Sequence, residues 1–315
     1  MPERLGPPLD NPLFERIALI GLGLIGSSIA RAVKHLRLAD KIVAIDRSEE
    51  VVARVRELGI ADEATTDVAA GVTNADLVVL CVPVGVCGAV AEAMKPALKP
   101  GCIVSDVGSV KASVIAQVQP HLPEGVHFVP AHPVAGTEHS GPDAGFATLF
   151  HNRWCILTPA DSQDEGAIER VRAFWAAMGS NVEIMSAQHH DLVLAITSHV
   201  PHLIAYNIVG TAADLETVTQ GEVIKFSAGG FRDFTRIAAS DPTMWRDIFL
   251  HNKEAVLEML GRLNEDIALL ARAIRWGEGD KLFDLFTRTR AIRRGIISSG
   301  QETPEPDFGR RKDQA

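Results

Sequence analysis

The chain is short of basic charge, of paired cysteines and of long apolar runs, and each shortage removes a class of function. Lys and Arg number 31 against 40 Asp and Glu, a formal net charge of -9. Proteins that grip nucleic acid usually present a net basic domain or stripe, so nucleic acid is not an expected partner. The four cysteines, Cys81, Cys87, Cys102 and Cys155, show no C-x-x-C spacing, which favours buried free thiols over a catalytic or metal-bound sulfur. No run of consecutive apolar residues approaches the ~20 needed to cross a bilayer. The start, residues 1–10, is proline-rich and acidic rather than basic then apolar, unlike a secretory leader. The expectation is a cytoplasmic, unprocessed protein with no membrane partner.

What is present is enough apolar material for real cores, 46% of 315 residues, and a length better suited to two domains than one. From Arg16 to about Met185, short β-branched runs alternate with helical stretches. The runs are Ile17 to Ile20, Ile42 to Ile45, Leu77 to Val82, Ile103 to Ser105, His127 to Ala131, Trp154 to Leu157 and Val182 to Met185. That rhythm predicts a doubly wound parallel sheet with crossover helices, an α/β Rossmann-like domain over 16–185. After Ser186 the strand signals stop, and 186–300 reads as an all-α domain for substrate and dimerisation. Residues 1–15 are expected to be a flexible N-terminus, and the polar 301–315 a disordered tail.

Asp241 followed by Pro242 is a good helix start. Trp245, Ile248, Asn252, Val256, Met259, Leu263, Ile267, Leu270 and Ile274 then recur on one stripe before Gly277. The pattern predicts one uninterrupted helix of roughly 35 residues, about 50 Å long. Such a stripe exceeds what one small domain covers, so a homodimer through this half is expected, a bent helix packed within its own chain being the alternative.

The first strand runs into Gly21-Leu22-Gly23-Leu24-Ile25-Gly26, with a helical stretch following at once. This is G-x-G-x-x-G between strand and helix, the setting in which glycines permit the tight turn, the approach of a pyrophosphate and close helix packing. Asp46, about 20 residues beyond the last glycine, is placed to accept from ribose hydroxyls and to repel a 2′-phosphate. NAD is the expected cofactor, with NADP a weaker alternative that the neighbouring Arg47 keeps open. Val82 and Pro83 after one strand, and Asp106 and Ser109 after the next, are expected to border the nicotinamide. Ser109 also suits the N-cap of the helix that follows.

The polar loop beginning Ala131-His132-Pro133 follows a strand directly. Hydride transfer from a carbon bearing a hydroxyl needs a proton acceptor, and His132 is the candidate, against a purely structural histidine. By sequence position alone, Arg236 reads best as one half of a solvated ion pair with Asp233 or Asp241. His199 and His202, three apart with Pro201 between them, read as core histidines or, less readily, as metal ligands. No H-E-x-x-H is present, so no metal is expected.

Taken together, the glycine loop, Asp106-Val107-Gly108-Ser109-Val110-Lys111, the His132 to Glu138 stretch, Thr197-Ser198-His199-Val200-Pro201-His202, and Gly230-Phe231-Arg232-Asp233-Phe234-Thr235-Arg236 with Trp245 resemble the prephenate and arogenate dehydrogenases of tyrosine biosynthesis. The resemblance covers about residues 15 to 297. It implies an NAD-dependent oxidative decarboxylation in which His132 meets the ring hydroxyl, Ser109 orients His132, and Arg236 pairs with a substrate carboxylate. It further implies that His199 and His202 line the pocket, that Glu138 and Asp233 position or gate Arg236, and that Gly229 and Trp245 lie near the substrate side chain. A hydroxyacid dehydrogenase or imine reductase, and a non-catalytic NAD-sensing protein, remain as alternatives.

Overall fold

The computed structural model describes residues 5–137, 139–219, 225 and 228–298. Glu138, residues 1–4 and the 301–315 tail lie outside the described residues.

Six strands form one parallel sheet in the order β3-β2-β1-β4-β5-β6. They are β1 (Phe14–Ile20), β2 (Ala39–Ile45), β3 (Glu63–Thr65), β4 (Leu77–Leu80), β5 (Ile103–Asp106) and β6 (His127–Phe128). Their crossovers are helical: α1 (Leu24–Leu36), α2 (Glu49–Leu58), α3 (Val68–Val72), α4 (Cys87–Met94) and α5 (Lys111–Val118). Every residue of β4 is buried, because helices cover both faces of the sheet; that is why Leu77-Val78-Val79-Leu80 is apolar without alternation. This order reverses between β1 and β4, and ligands bind at the carboxyl ends of strands beside such a reversal. Three-residue β3, at the sheet edge, carries too short a signal to be read from sequence.

The later strands do not extend this sheet. The expected strand His127 to Ala131 is cut in two at Val129-Pro130, and β7 (Ala131–Pro133) turns away to pair antiparallel with β8 (Trp154–Leu157). β8 pairs in parallel with β9 (Asn181–Ile184), and α6 (Glu165–Ala177) crosses between them. This small sheet shares the main core through Phe150, Phe174 and Trp175. Residues 5–13, expected to be flexible, are tied down: Leu5, Leu9 and Leu13 pack on that core, and the Leu9 N–H donates to Leu36 O.

The helical half begins with α7 (Ala187–Leu194), a π-helical turn over Ala195–His199, and α8 (Val200–Thr219). It continues with α9 (Gly229–Thr235), α10 (Pro242–His251), α11 (Lys253–Arg275) and α12 (Gly279–Ser298). The single long helix expected from Pro242 is two helices. Asn252 leaves helical geometry at φ -110° and ψ 33°, and its side chain donates to Asp191 O and His199 Nδ1 instead. The apolar stripe runs through the break, which is why periodicity alone missed it. Trp245, Ile248, Val256 and Met259 are buried, whereas Ile267 and Ile274 are exposed.

The span Ala187–Leu215 is long and apolar enough to cross a membrane by length and composition, although it contains no long unbroken apolar run. Only 28% of its most apolar window is buried within the protomer.

Candidate active site

The glycine loop sits at the carboxyl end of β1. Gly21 has φ +94°, and a Cβ there would lie 2.5 Å from Cys81 O, so turn geometry and the neighbouring strand both require glycine. A Cβ on Gly26 would lie 2.0 Å from Gly21 O, whereas one on Gly23 would meet nothing within 4 Å. The open space is thus in front of the second glycine. α1 begins there with no side-chain cap and no acidic residue in its first turn, leaving free backbone donors and a positive dipole end for a phosphate. Asp46 accepts from Leu22 N at 2.9 Å and from Ser48 N at 3.0 Å, which fixes its carboxylate beside the loop. Leu24 and Ile25 are half-buried, Leu22 is buried, and Arg47 is exposed next to Asp46. These features fit a dinucleotide.

Val82 is half-buried and Pro83 exposed after β4. Asp106 is different. Expected beside the cofactor, it is fully buried: Oδ2 accepts from Gly108 N and from the Lys111 ammonium, and Oδ1 accepts from Ala131 N. Lys111, also fully buried, donates to Ala131 O as well. The buried ion pair therefore clamps the residue just before His132 on both its N–H and its carbonyl.

His132 is 7% exposed. Its Nδ1 lies 2.8 Å from His190 Nε2, and His190 Nδ1 lies 2.8 Å from Asp191 Oδ1. Among the described residues no partner meets His132 Nε2, the nitrogen left for a ligand. Burial pushes the His132 imidazole well below the ordinary histidine range, with His190, Lys111 and His199 adding to the effect. Burial lowers His190 too, against the opposing pull of Asp191. Both rings are neutral near pH 7.

Ser109 is half-buried and makes no hydrogen bond to His132; nor does it cap α5. Both jobs fall to residues that the sequence reading missed. His190 orients His132, and the Asp191 carboxylate caps α5 from another helix by accepting from Lys111 N and Ala112 N. The available signal was the adjacent His190-Asp191 pair three residues into a helix capped by Ser186, since a carboxylate beside an imidazole commonly fixes its tautomer.

The helical half adds an aromatic wall. The His202 ring stacks on Trp245, centroids 3.6 Å apart, and His199 meets the same indole edge-on at 6.1 Å. His199 is wholly buried under Trp245 rather than facing an open pocket. Asn252 donates to its Nδ1, so Nε2 carries the proton, and among the described residues neither that buried donor nor the buried Trp245 indole N–H has a partner. Unpaired buried donors are costly unless a ligand supplies the acceptor. Arg236 is half-buried just after α9, and its charge helps lower His202, though burial does most of that. Gly229 and Asp233 lie exposed on α9, and no hydrogen bond or ion pair ties either to His132.

The chain matches two family models, prephenate dehydrogenase nucleotide-binding domain over 29–184 and prephenate dehydrogenase dimerization domain over 186–288. The cyclohexadienyl dehydrogenase of Zymomonas mobilis is 46% identical over 281 residues, covering 89% of this chain and 96% of that protein. The crystal structure of Aquifex aeolicus prephenate dehydrogenase in complex with hydroxyphenyl propionate and NAD+ superposes with a TM-score of 0.84 at 33% identity, covering 90% of this chain and 98% of that one. Synechocystis arogenate dehydrogenase gives 0.75 at 26% identity, covering 89% and 99%. With both domains matched in order, and a glycine loop, an oriented histidine and a helical half arranged as described, the chain belongs to the prephenate dehydrogenase family.

Proposed function

We propose that this protein is an NAD-dependent cyclohexadienyl dehydrogenase that oxidatively decarboxylates prephenate to 4-hydroxyphenylpyruvate, arogenate to tyrosine, or both, as a cytoplasmic homodimer. The observation that carries the reading is a neutral, buried His132 whose Nδ1 is engaged and whose Nε2 is free. Such a nitrogen suits the acceptance of a proton from a hydroxyl.

Gly23, the first turn of α1 and Asp46 would hold the dinucleotide, whose nicotinamide accepts the hydride when bound. His132 Nε2 accepts the proton of the ring hydroxyl as hydride leaves the same carbon. Loss of carbon dioxide then makes the ring aromatic, and the proton returns to the phenol oxygen. Arg236 holds a substrate carboxylate by a charge-assisted pair. His202, stacked on Trp245, forms a wall for the substrate side chain, and the buried donors of His199 and Trp245 wait behind it. Ser109, half-buried after β5, is free to meet hydroxyl or cofactor. Glu138 and Asp233 are assigned to positioning Arg236, and Gly229 to the rim near the substrate side chain.

The dimer is supported by the apolar residues that the helical half leaves uncovered. Leu269, Ile274, Trp276, Phe283 and Phe286 on or beside α11 and α12 are each more than half exposed, a surface that a soluble monomer rarely presents. A second copy also suits the apolar α7–α8 span better than a bilayer does, because that span carries the buried His190-Asp191 pair. The test is NADH formation with prephenate and with arogenate, each with NAD and with NADP. Turnover of either with NAD supports the reading, and their ratio names the substrate. No turnover with any pair would return the chain to the hydroxyacid dehydrogenase or NAD-sensing alternatives.

A further inference from the structure

We propose that Asp191 and His190 are positioning residues that set which nitrogen of His132 carries its proton, and that His132 becomes a base only when the helical half is seated on the dinucleotide half. The inference rests on the assignment of His132 as proton acceptor.

Donors and acceptors must match at each step from Asp191 to His132. An ionised carboxylate only accepts. Asp191 Oδ1 faces Lys111 N at 2.7 Å and His190 Nδ1 at 2.8 Å, while Oδ2 faces Ala112 N at 3.0 Å. His190 Nδ1 must therefore donate. A neutral imidazole has one N–H, so His190 Nε2 is an acceptor, and His132 Nδ1 across from it must donate. The lone pair of His132 then lies on Nε2, facing the site. Without Asp191, His190 is free to carry its proton on Nε2, which would make His132 Nδ1 the acceptor. The proton of His132 would move to Nε2, and a ring in that form cannot take another from a hydroxyl there.

The same carboxylate joins the halves. α5 belongs to the dinucleotide half and has no side-chain cap of its own; α7 opens the helical half. Asn252, at the break between α10 and α11, donates to Asp191 O at 2.8 Å and so fixes the capping residue from a third helix. Parting the halves would uncap α5 and remove His190 from His132 in one motion. Around the relay the charged and titratable neighbours are Asp106 and Lys111 from β5 and α5, His199 from the π-helical turn and Cys155 from β8. Among these described neighbours, His190 is the ring bonded to His132 Nδ1.

The experiment is nitrogen-15 NMR of histidine-labelled full-length protein, with kcat and NAD affinity measured on the same samples of wild type, His190→Gln, His190→Leu and Asp191→Asn. Glutamine retains an acceptor for His132 Nδ1–H, whereas leucine retains only bulk. The expected result is a protonated His132 Nδ1 in wild type and His190→Gln, and a mixed or reversed form in His190→Leu and Asp191→Asn. kcat should fall about 100-fold in His190→Leu and about 10-fold or less in His190→Gln, with NAD affinity within about twofold of wild type in both. Equal kcat for the glutamine and leucine variants would overturn the proposal, as would an unchanged His132 proton position in His190→Leu. The NMR signal needs no substrate. A wild type that carries the proton on Nδ1 yet turns over nothing would sink the proposed activity and leave the relay standing.

Discussion

Asp46 accepts a hydrogen bond from the backbone N–H of Leu22 at 2.9 Å, so the carboxylate that ends β2 and the glycine-rich turn that ends β1 are held as one unit. The contact is preorganised: Ser48 N–H binds the other oxygen, and the carboxylate is fixed before any cofactor arrives. On the proposed role of Asp46, replacing it with Ala removes the ribose acceptor and the charge that repels a 2′-phosphate. NAD should bind about tenfold more weakly, on the order of 1.4 kcal/mol, while NADP, with Arg47 adjacent, should lose less or gain. Isothermal titration of both cofactors checks this, and an equal loss for the two would remove Asp46 from cofactor discrimination.

His132→Asn keeps a polar group on β7 but removes the proposed base. Turnover should drop roughly 100-fold or more with NAD binding nearly unchanged. Arg236→Gln should behave differently, raising the substrate KM with a smaller effect on kcat, because an ion pair present in both ground and transition states is uniform binding. The wild-type profile gives a further check. The His132 pKa is lowered by burial, with His190, Lys111 and His199 adding, and the proposed base acts only as the neutral ring, so the acid limb of kcat/KM should lie below pH 6.5. An acid limb above that value in wild type would contradict the assignment.

The buried Lys111–Asp106 pair gives a stability prediction with a built-in control. Both side chains are wholly inaccessible, and removing one partner strands the other charge. Lys111→Met should cost about 3–5 kcal/mol and loosen β7, lowering both melting temperature and kcat. Joint replacement as Asp106→Asn with Lys111→Met should recover much of the stability but less of the activity, because the ammonium contact to Ala131 O is not restored. If the double variant is as unstable as the single one, the loss lies in packing rather than in the stranded charge.

These sites differ in how far sequence could reveal them. The glycine loop was legible because two of its three glycines answer to local constraints, a positive φ at Gly21 and close contacts at Gly21 and Gly26, and the third, Gly23, faces open space. The apolar strands were legible because burial on both faces leaves no other composition. The orientation of His132 was not, since its partner lies 58 positions away, on a helix that local pattern places in the other domain. Asp106 was misread for a related reason. A carboxylate at the end of a strand looks like a ligand group until Lys111, five residues onward at the start of α5, is seen to fold back under it. Asn252 shows the limit of periodicity: it sits on the stripe, buried as the stripe requires, yet its side chain serves Asp191 and His199 and ends α10.

The cluster of lowered histidines makes acid the weak side of this fold. Burial lowers His199 from 6.5 to about 4, with His190 and His202 adding and Asp191 opposing. His132, His190 and His202 shift in the same direction. A folded-state pKa below the unfolded one means that the folded protein binds fewer protons, so the stabilisation is complete above pH 6.5 and is lost as pH falls toward 4. At about 1.4 kcal/mol per pKa unit, His199, which has no exposed surface, accounts for on the order of 3 kcal/mol across that window, and the others add to it. Urea unfolding at pH 7 and at pH 5 should show a clear drop in midpoint before the carboxylates begin to titrate. The drop should shrink in His199→Leu, which has nothing there to protonate. Equal midpoints at the two pH values would mean that these rings take up protons as readily folded as unfolded, and that their burial does not exclude the charged form.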